Sequence, residues 1–241
     1  MNPNTSVQSN RAADMSGAII KRLVQVAVIF FIQAVVLFAS AGRLAWTMAW
    51  VYLAVYVAMI IINSLVLLRL DPALIAERAQ VKENAKSWDK PLAGLISLFG
   101  PLMIWIVAGL DNRWGWSGEF VGPVQFIALG LIILGYAFSG WAMAANRFFS
   151  GLVRIQTERG HTVATGGPYR YVRHPGYSGW ALAYLATSLV LGSWWALIPA
   201  GLTVGVIIVR TTLEDKTLQA ELDGYQEYTQ QVRYRLLPGV W

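Results

Sequence analysis

Six apolar runs dominate the chain: Leu23–Ala39, Leu44–Leu68, Pro91–Leu110, Val121–Ala145, Tyr177–Leu191 and Trp194–Thr212. A bilayer core about 30 Å thick takes about 20 helical residues at 1.5 Å each. Hydrocarbon offers no hydrogen bonds, so a spanning backbone must satisfy itself, as a helix does. The expected fold is therefore all-α: a polytopic membrane helix bundle of about five to six membrane helices with a C-terminal amphipathic cytoplasmic helix. Only 13% of the residues are charged, against roughly a quarter in a soluble domain.

The runs divide the chain. Residues 1–16 are polar and read as a disordered tail. Ala39-Ser40-Ala41 looks like a signal-peptidase site. However, the leader is long and another span follows at once, so the run reads as a retained span. Residues 17–145 then form an N-terminal four-span membrane region. Its connector, Arg69 to Lys90, contains Asp71-Pro72, an N-cap followed by proline at the first helical position, which predicts a short interfacial helix. Trp114 and Trp116 suit an interfacial belt. Tyr177–Leu191 is short for a full crossing, and only Gly192 and Ser193 separate it from the next run. This last hairpin either spans or dips in and returns.

Of the 19 Lys and Arg residues, all but Arg43 and Arg113 fall on one side if the N-terminus is cytoplasmic. By the positive-inside rule that side is the cytoplasm. The same distribution accounts for the net charge of +6 without nucleic acid as a partner. The chain has no cysteine and two histidines, His161 and His174, so no metal centre is expected. Beyond the last span, Leu218, Leu222, Tyr225, Tyr228 and Val232 recur at helical spacing among charged residues. They predict an amphipathic helix that either lies on the bilayer or folds over the preceding loop.

Three polar clusters share the cytoplasmic face. The first is Gln156 with His161-Thr162-Val163-Ala164. The second runs from Gly166-Gly167-Pro168-Tyr169 through Arg173-His174-Pro175-Gly176-Tyr177-Ser178-Gly179, and the third is Arg210 with Glu214 and Asp215. The glycines allow a sharp turn and close approach to a ligand. Arg210 and Glu214 lie four apart on one helix face. Each cluster also has a plainer reading. His161 can be an interfacial hydrogen-bonder. Tyr169, Tyr171 and Tyr177 can be belt aromatics, and Gly176 and Gly179 can permit close helix packing. Arg210 and Glu214 can form a helix-end ion pair. No Lys-Ser or Lys-Thr pair follows the glycine turn, which rules out a phosphate loop.

Taken together, Arg173 through Gly179, an apolar hairpin, Arg210 with Glu214-Asp215-Lys216-Thr217-Leu218, then Gly224-Tyr225-Gln226-Glu227-Tyr228 and Arg233-Tyr234-Arg235-Leu236-Leu237-Pro238 resemble the isoprenylcysteine carboxyl methyltransferase family. Upstream, Leu74-Ile75-Ala76-Glu77-Arg78 and Lys86-Ser87-Trp88-Asp89-Lys90 look like that family's connector between early spans. The resemblance implies a methyltransferase core over residues 146–241, in an integral, multi-pass membrane protein whose active site faces the cytoplasm. It implies a cofactor, S-adenosylmethionine, held by Gln156, His161, Thr162, Val163, Ala164, Tyr169, His174, Pro175, Gly176, Tyr177 and Glu214. Arg210 would be the catalytic residue, facing an acceptor carboxylate. The implied partners are membrane lipids and a lipophilic acceptor entering from the bilayer. The sequence departs at Asp215, where the family commonly has glutamate, so that residue's contact is left open. Phospholipid N-methyltransferases and sterol reductases share parts of this architecture. Methylation of phosphatidylethanolamine, or an NADPH-dependent reduction, therefore stand as alternatives.

Overall fold

A computed structural model describes residues 17, 24–70, 84–119 and 122–241, and the regular elements among them are all helical. They are α1 (Val24–Ala41), α2 (Thr47–Leu70), α3 (Asp89–Trp114), α4 (Gly122–Ala145), α5 (Pro175–Val190), α6 (Leu197–Glu221) and α7 (Tyr225–Gln231). The tail 1–16 and the helix expected at Asp71-Pro72 lie outside the described residues. Five helices, α1 to α4 and α6, are long and apolar enough to cross a membrane. Helix α5 has 16 residues, about 24 Å of rise, and falls short of the hydrocarbon thickness.

Packing follows from small residues at the crossings. Helix α5 makes its most extensive contact with α4. A Cβ on Gly179 would lie 2.3 Å from the Gly135 carbonyl oxygen, and one on Gly135 would lie 2.6 Å from that of Gly179. Only paired glycines let the two backbones approach so closely. Gly109 and Gly100 do the same for α3, against Ser40 on α1 and Thr203 on α6. Leu37, Ala49, Ile104, Ala108, Ile132 and Val190 are fully buried at the centre. By contrast Ile61, Ile62, Leu65, Phe126, Ile127 and Leu202 are more than half exposed, an outer surface suited to acyl chains. At one end of the bundle, Asp111 is buried and accepts hydrogen bonds from Ser117 and from Ser193 in the α5–α6 turn. That bond ties the hairpin to α3.

Two elements differ from expectation. The last span does not stop at Thr212. It runs on to Glu221, because Glu214 and Asp215 find protein partners and need not leave the helix for water. The predicted amphipathic helix is not continuous. Its first turn belongs to α6, Leu222 is extended, and Gly224 at φ 79° turns the chain before α7. Leu222, Tyr225, Tyr228 and Val232 then pack on Ile155, Val163 and Leu218. The aromatic stripe lies over the loop between α4 and α5, not on a lipid surface.

Candidate active site

The loop between α4 and α5 is built around its own polar side chains. Asn146 accepts the Phe148 N–H and donates to the Tyr169 hydroxyl. Gln156, 1% exposed, donates to the Phe148 carbonyl at 2.6 Å and accepts from Arg159 at 2.6 Å. Both ends of its amide are spent on holding the loop. The Gln156 N–H donates to His161 Nδ1 at 3.2 Å, which fixes Nδ1 as an unprotonated acceptor. Burial, with Arg154 and Arg159 nearby, lowers the His161 pKa to about 4. Gly167, at φ 56°, starts the short 3-10 turn that brings Tyr169 inward. Pro175 sits at the first position of α5, with His174 outside the helix just before it.

Asp215 is the buried hub beneath this loop. Its Oδ1 accepts from Arg173 Nε at 2.8 Å and Tyr225 at 2.9 Å, and lies 3.2 Å from His174 Nε2. Its Oδ2 accepts from Arg173 Nη2, Arg235 and Gln219, each at 2.9 Å. Arg173 also donates to the carbonyls of Val232 and Arg233 at 2.8 Å. The arginine that opens the motif thus braces the C-terminal segment. One residue earlier on α6, Glu214 points elsewhere and accepts from the Tyr177 hydroxyl at 2.5 Å.

Between the loop, the start of α5, the end of α6 and α7 lies a cleft partly open to solvent. His161, Thr162, Val163 and Ala164 form one wall, and Tyr169, His174, Gly176 and Tyr177 another. Glu214, Leu218 and Leu222 come from α6, and Tyr225 and Tyr228 close the cleft from α7. The Tyr228 hydroxyl donates to the Tyr169 carbonyl at 2.7 Å, which bonds the cover to the wall. A Cβ on Gly176 would meet the Phe149 ring at 2.8 Å, so Phe149 fills the space this glycine leaves.

Nine of the eleven residues expected to hold a cofactor converge on the cleft. Gln156 and Pro175 do not line it: the first is locked within the loop and the second caps α5. Arg210 does not line it either. Its Nε and Nη2 donate to Asp89 Oδ1 and Oδ2 at 2.6 and 2.8 Å, and Nη2 donates again to the Gly151 carbonyl at 2.8 Å. Its guanidinium lies over the Tyr177 ring, 5.3 Å from the centroid. In place of the helix-end pair with Glu214, Arg210 forms a buried ion pair with Asp89 at the start of α3. Sequence reasoning missed Asp89, and it left Arg173 and Asp215 without roles. The available signal was an acid at the mouth of an apolar span, which needs a partner.

Helices crossing on glycines, with a polar cleft at one end of the bundle, define a polytopic membrane-type helical protein. Residues 128–220 match the model of the isoprenylcysteine carboxyl methyltransferase (ICMT) family. It is 32% identical over 111 residues to the protein-S-isoprenylcysteine O-methyltransferase of Schizosaccharomyces pombe, covering 45% of this chain and 47% of that protein. It is 36% identical over 101 residues to protein-S-isoprenylcysteine O-methyltransferase A of Arabidopsis thaliana, covering 42% and 48%. The chain thus spans about half the length of the curated relatives it matches. A solved structure of the eukaryotic intramembrane Ras methyltransferase ICMT is similar over 100% of this chain and 99% of its own, at 18% identity and a TM-score of 0.49.

Proposed function

We propose that the protein is an integral-membrane methyltransferase that moves a methyl group from S-adenosylmethionine to the carboxylate of a lipophilic, isoprenylcysteine-like acceptor, with the cleft facing the cytoplasm. The observation that carries this reading is the convergence of His161–Ala164, Tyr169, His174, Tyr177 and Glu214 on one cleft within the family-matched residues.

The lining fits such a donor. Aromatic faces at Tyr169, Tyr177, Tyr225 and Tyr228 and the carboxylate of Glu214 suit a flat base and a cationic sulfonium. S-adenosylmethionine, when bound, supplies an electrophilic methyl for a single in-line displacement. A carboxylate acceptor with a reference pKa near 4 is already ionised at neutral pH, so no general base is needed. The residues must instead align the reactants within about 3 to 3.5 Å and keep water off the nucleophile. Tyr225 and Tyr228 on α7 serve the second task by covering the cleft, and Arg210 serves the first by presenting a fixed positive edge next to Tyr177. The spread of Lys and Arg along the sequence supports the cytoplasmic orientation. The exposed apolar outer surface supports entry of the acceptor from the bilayer.

Calorimetry of S-adenosylhomocysteine binding, followed by a methyl-transfer assay with a farnesylated cysteine analogue, tests the reading. Saturable binding and base-labile methyl incorporation are expected. Binding of NADPH in place of S-adenosylhomocysteine would overturn it.

A further inference from the structure

We infer that Asp89 is a positioning residue for methyl transfer: it holds one edge of the Arg210 guanidinium, so that only the terminal nitrogen Nη1 is offered to the acceptor carboxylate, with part of the positive charge already balanced. The inference rests on the carboxyl-methylation reading above and assigns the N-terminal region a part in it, since Asp89 lies outside the family-matched residues 128–220.

Arginine carries five N–H donors. Asp89 takes two of them and the Gly151 carbonyl a third, and all three are on Nε and Nη2. The two donors on Nη1 bond to no atom among the described residues. Asp89 is itself fully buried and immobilised. Its Oδ2 also accepts the Val153 N–H at 2.7 Å, and the Val153 carbonyl accepts the Lys86 N–H at 2.9 Å. One carboxylate thus fixes the guanidinium and pins the loop beside it, where Ser150, Leu152 and Val153 line the cleft.

The chemistry gives this arrangement a purpose. Methylation turns an anionic carboxylate into a neutral ester, so the negative charge on the acceptor falls as the transition state is approached. A full cationic clamp would stabilise the starting anion more than the transition state, and such binding slows the chemical step. Two parallel charge-assisted bonds would also occupy the lone pairs that must attack. A guanidinium already paired on its Nε–Nη2 edge orients the acceptor through one nitrogen and leaves its other oxygen nucleophilic.

The test uses the full-length protein in detergent, with S-adenosylhomocysteine affinity, melting midpoint, and KM and kcat for a farnesylated cysteine analogue read together. In Asp89→Asn the amide keeps the shape but not the charge. Acceptor KM is expected to fall several-fold and kcat to fall about tenfold or more, with S-adenosylhomocysteine affinity within about twofold of wild type. Asp89→Glu restores the charge and should recover most of kcat. Should Asp89→Asn fail to fold, Arg210→Lys decides: it has no separate terminal nitrogen to present, and acceptor KM should rise about tenfold at unchanged S-adenosylhomocysteine affinity. Unchanged KM and kcat in Asp89→Asn would overturn the assignment. So would a parallel loss of cofactor affinity and melting midpoint in every variant, which marks a brace and nothing more. Wild-type protein that binds no S-adenosylhomocysteine would instead overturn the methyl-transfer reading itself.

Discussion

Glu214 and Asp215 are adjacent on α6, yet about 100° apart around the helix axis, and that rotation separates their roles. Asp215 is fully buried among two guanidiniums, a tyrosine and an imidazole. Removing it in Asp215→Ala strands the Arg173 charge, and breaking a buried pair in this way costs about 3–5 kcal/mol. A large drop in melting midpoint is expected, with cofactor binding lost as a consequence. Glu214→Ala should behave differently. Its partner is a neutral hydroxyl, so the fold survives while S-adenosylhomocysteine affinity falls about 10- to 100-fold, the worth of a charge-assisted bond. An unaltered affinity by calorimetry would remove Glu214 from the site. His161 sets the pH response. Its folded pKa, about 4, lies below the unfolded reference of about 6.5, so the unfolded chain takes the proton first. The stability of the loop is complete above pH ~6.5 and declines as pH falls through ~4. Titration of the ring by NMR should show a midpoint near 4, and one at 6.5 would contradict the bond from Gln156. The histidines, Glu214 and Arg210 were legible in the sequence as chemistry-bearing residues. Which carboxylate each would meet was not, since Arg210 pairs with an acid more than a hundred positions away.

At the scale of elements, the α4–α5 crossing is the support on which one wall of the cleft stands. Gly179→Ala would drive a Cβ against the Gly135 carbonyl and the Ser139 hydroxyl, each 2.3 Å away. Overpacking of this kind costs about 1–3 kcal/mol or more. Gly201→Ala on α6 meets nothing within 4 Å and serves as the control, neutral or slightly stabilising. Equal melting midpoints for the two variants would refute the crossing argument. Helix α7 acts through Tyr228, and Tyr228→Phe removes its bond to the Tyr169 carbonyl. That loss is worth about 0.5–1.5 kcal/mol and should appear as faster release of S-adenosylhomocysteine with little change in association rate. Hydrophobic runs marked where α1 to α6 would lie to within a few residues at most ends. The continuation of α6 past Thr212 escaped the same reading, because charged residues signal a helix leaving the membrane unless a protein partner is known. The break at Gly224 was hidden by the regular spacing of Leu222, Tyr225 and Tyr228, which serves two short segments as well as one helix.

For the whole molecule, contacts distant in sequence join the N-terminal region to the elements around the cleft: Asp89 with Arg210, and Lys86 with Glu221. Because the chain has no cysteine, single introduced cysteines report orientation cleanly. Tyr171→Cys beside the cleft and Trp116→Cys at the opposite end both replace exposed residues. In intact cells an impermeant maleimide should label the second and spare the first, and the reverse pattern would invert the topology. The sequence alone determined that this is an all-helical chain with several membrane-length spans, and that its polar chemistry gathers in three clusters at one end. Those properties depend on composition and local periodicity, which adjacent residues carry. Tertiary structure alone decided that Asp215 is the hub, that Arg210 is already held by Asp89, and that the last aromatic stripe covers the cleft. Each of these is a pairing between residues on different elements, and only helix crossings built on glycine bring those elements close enough to form it.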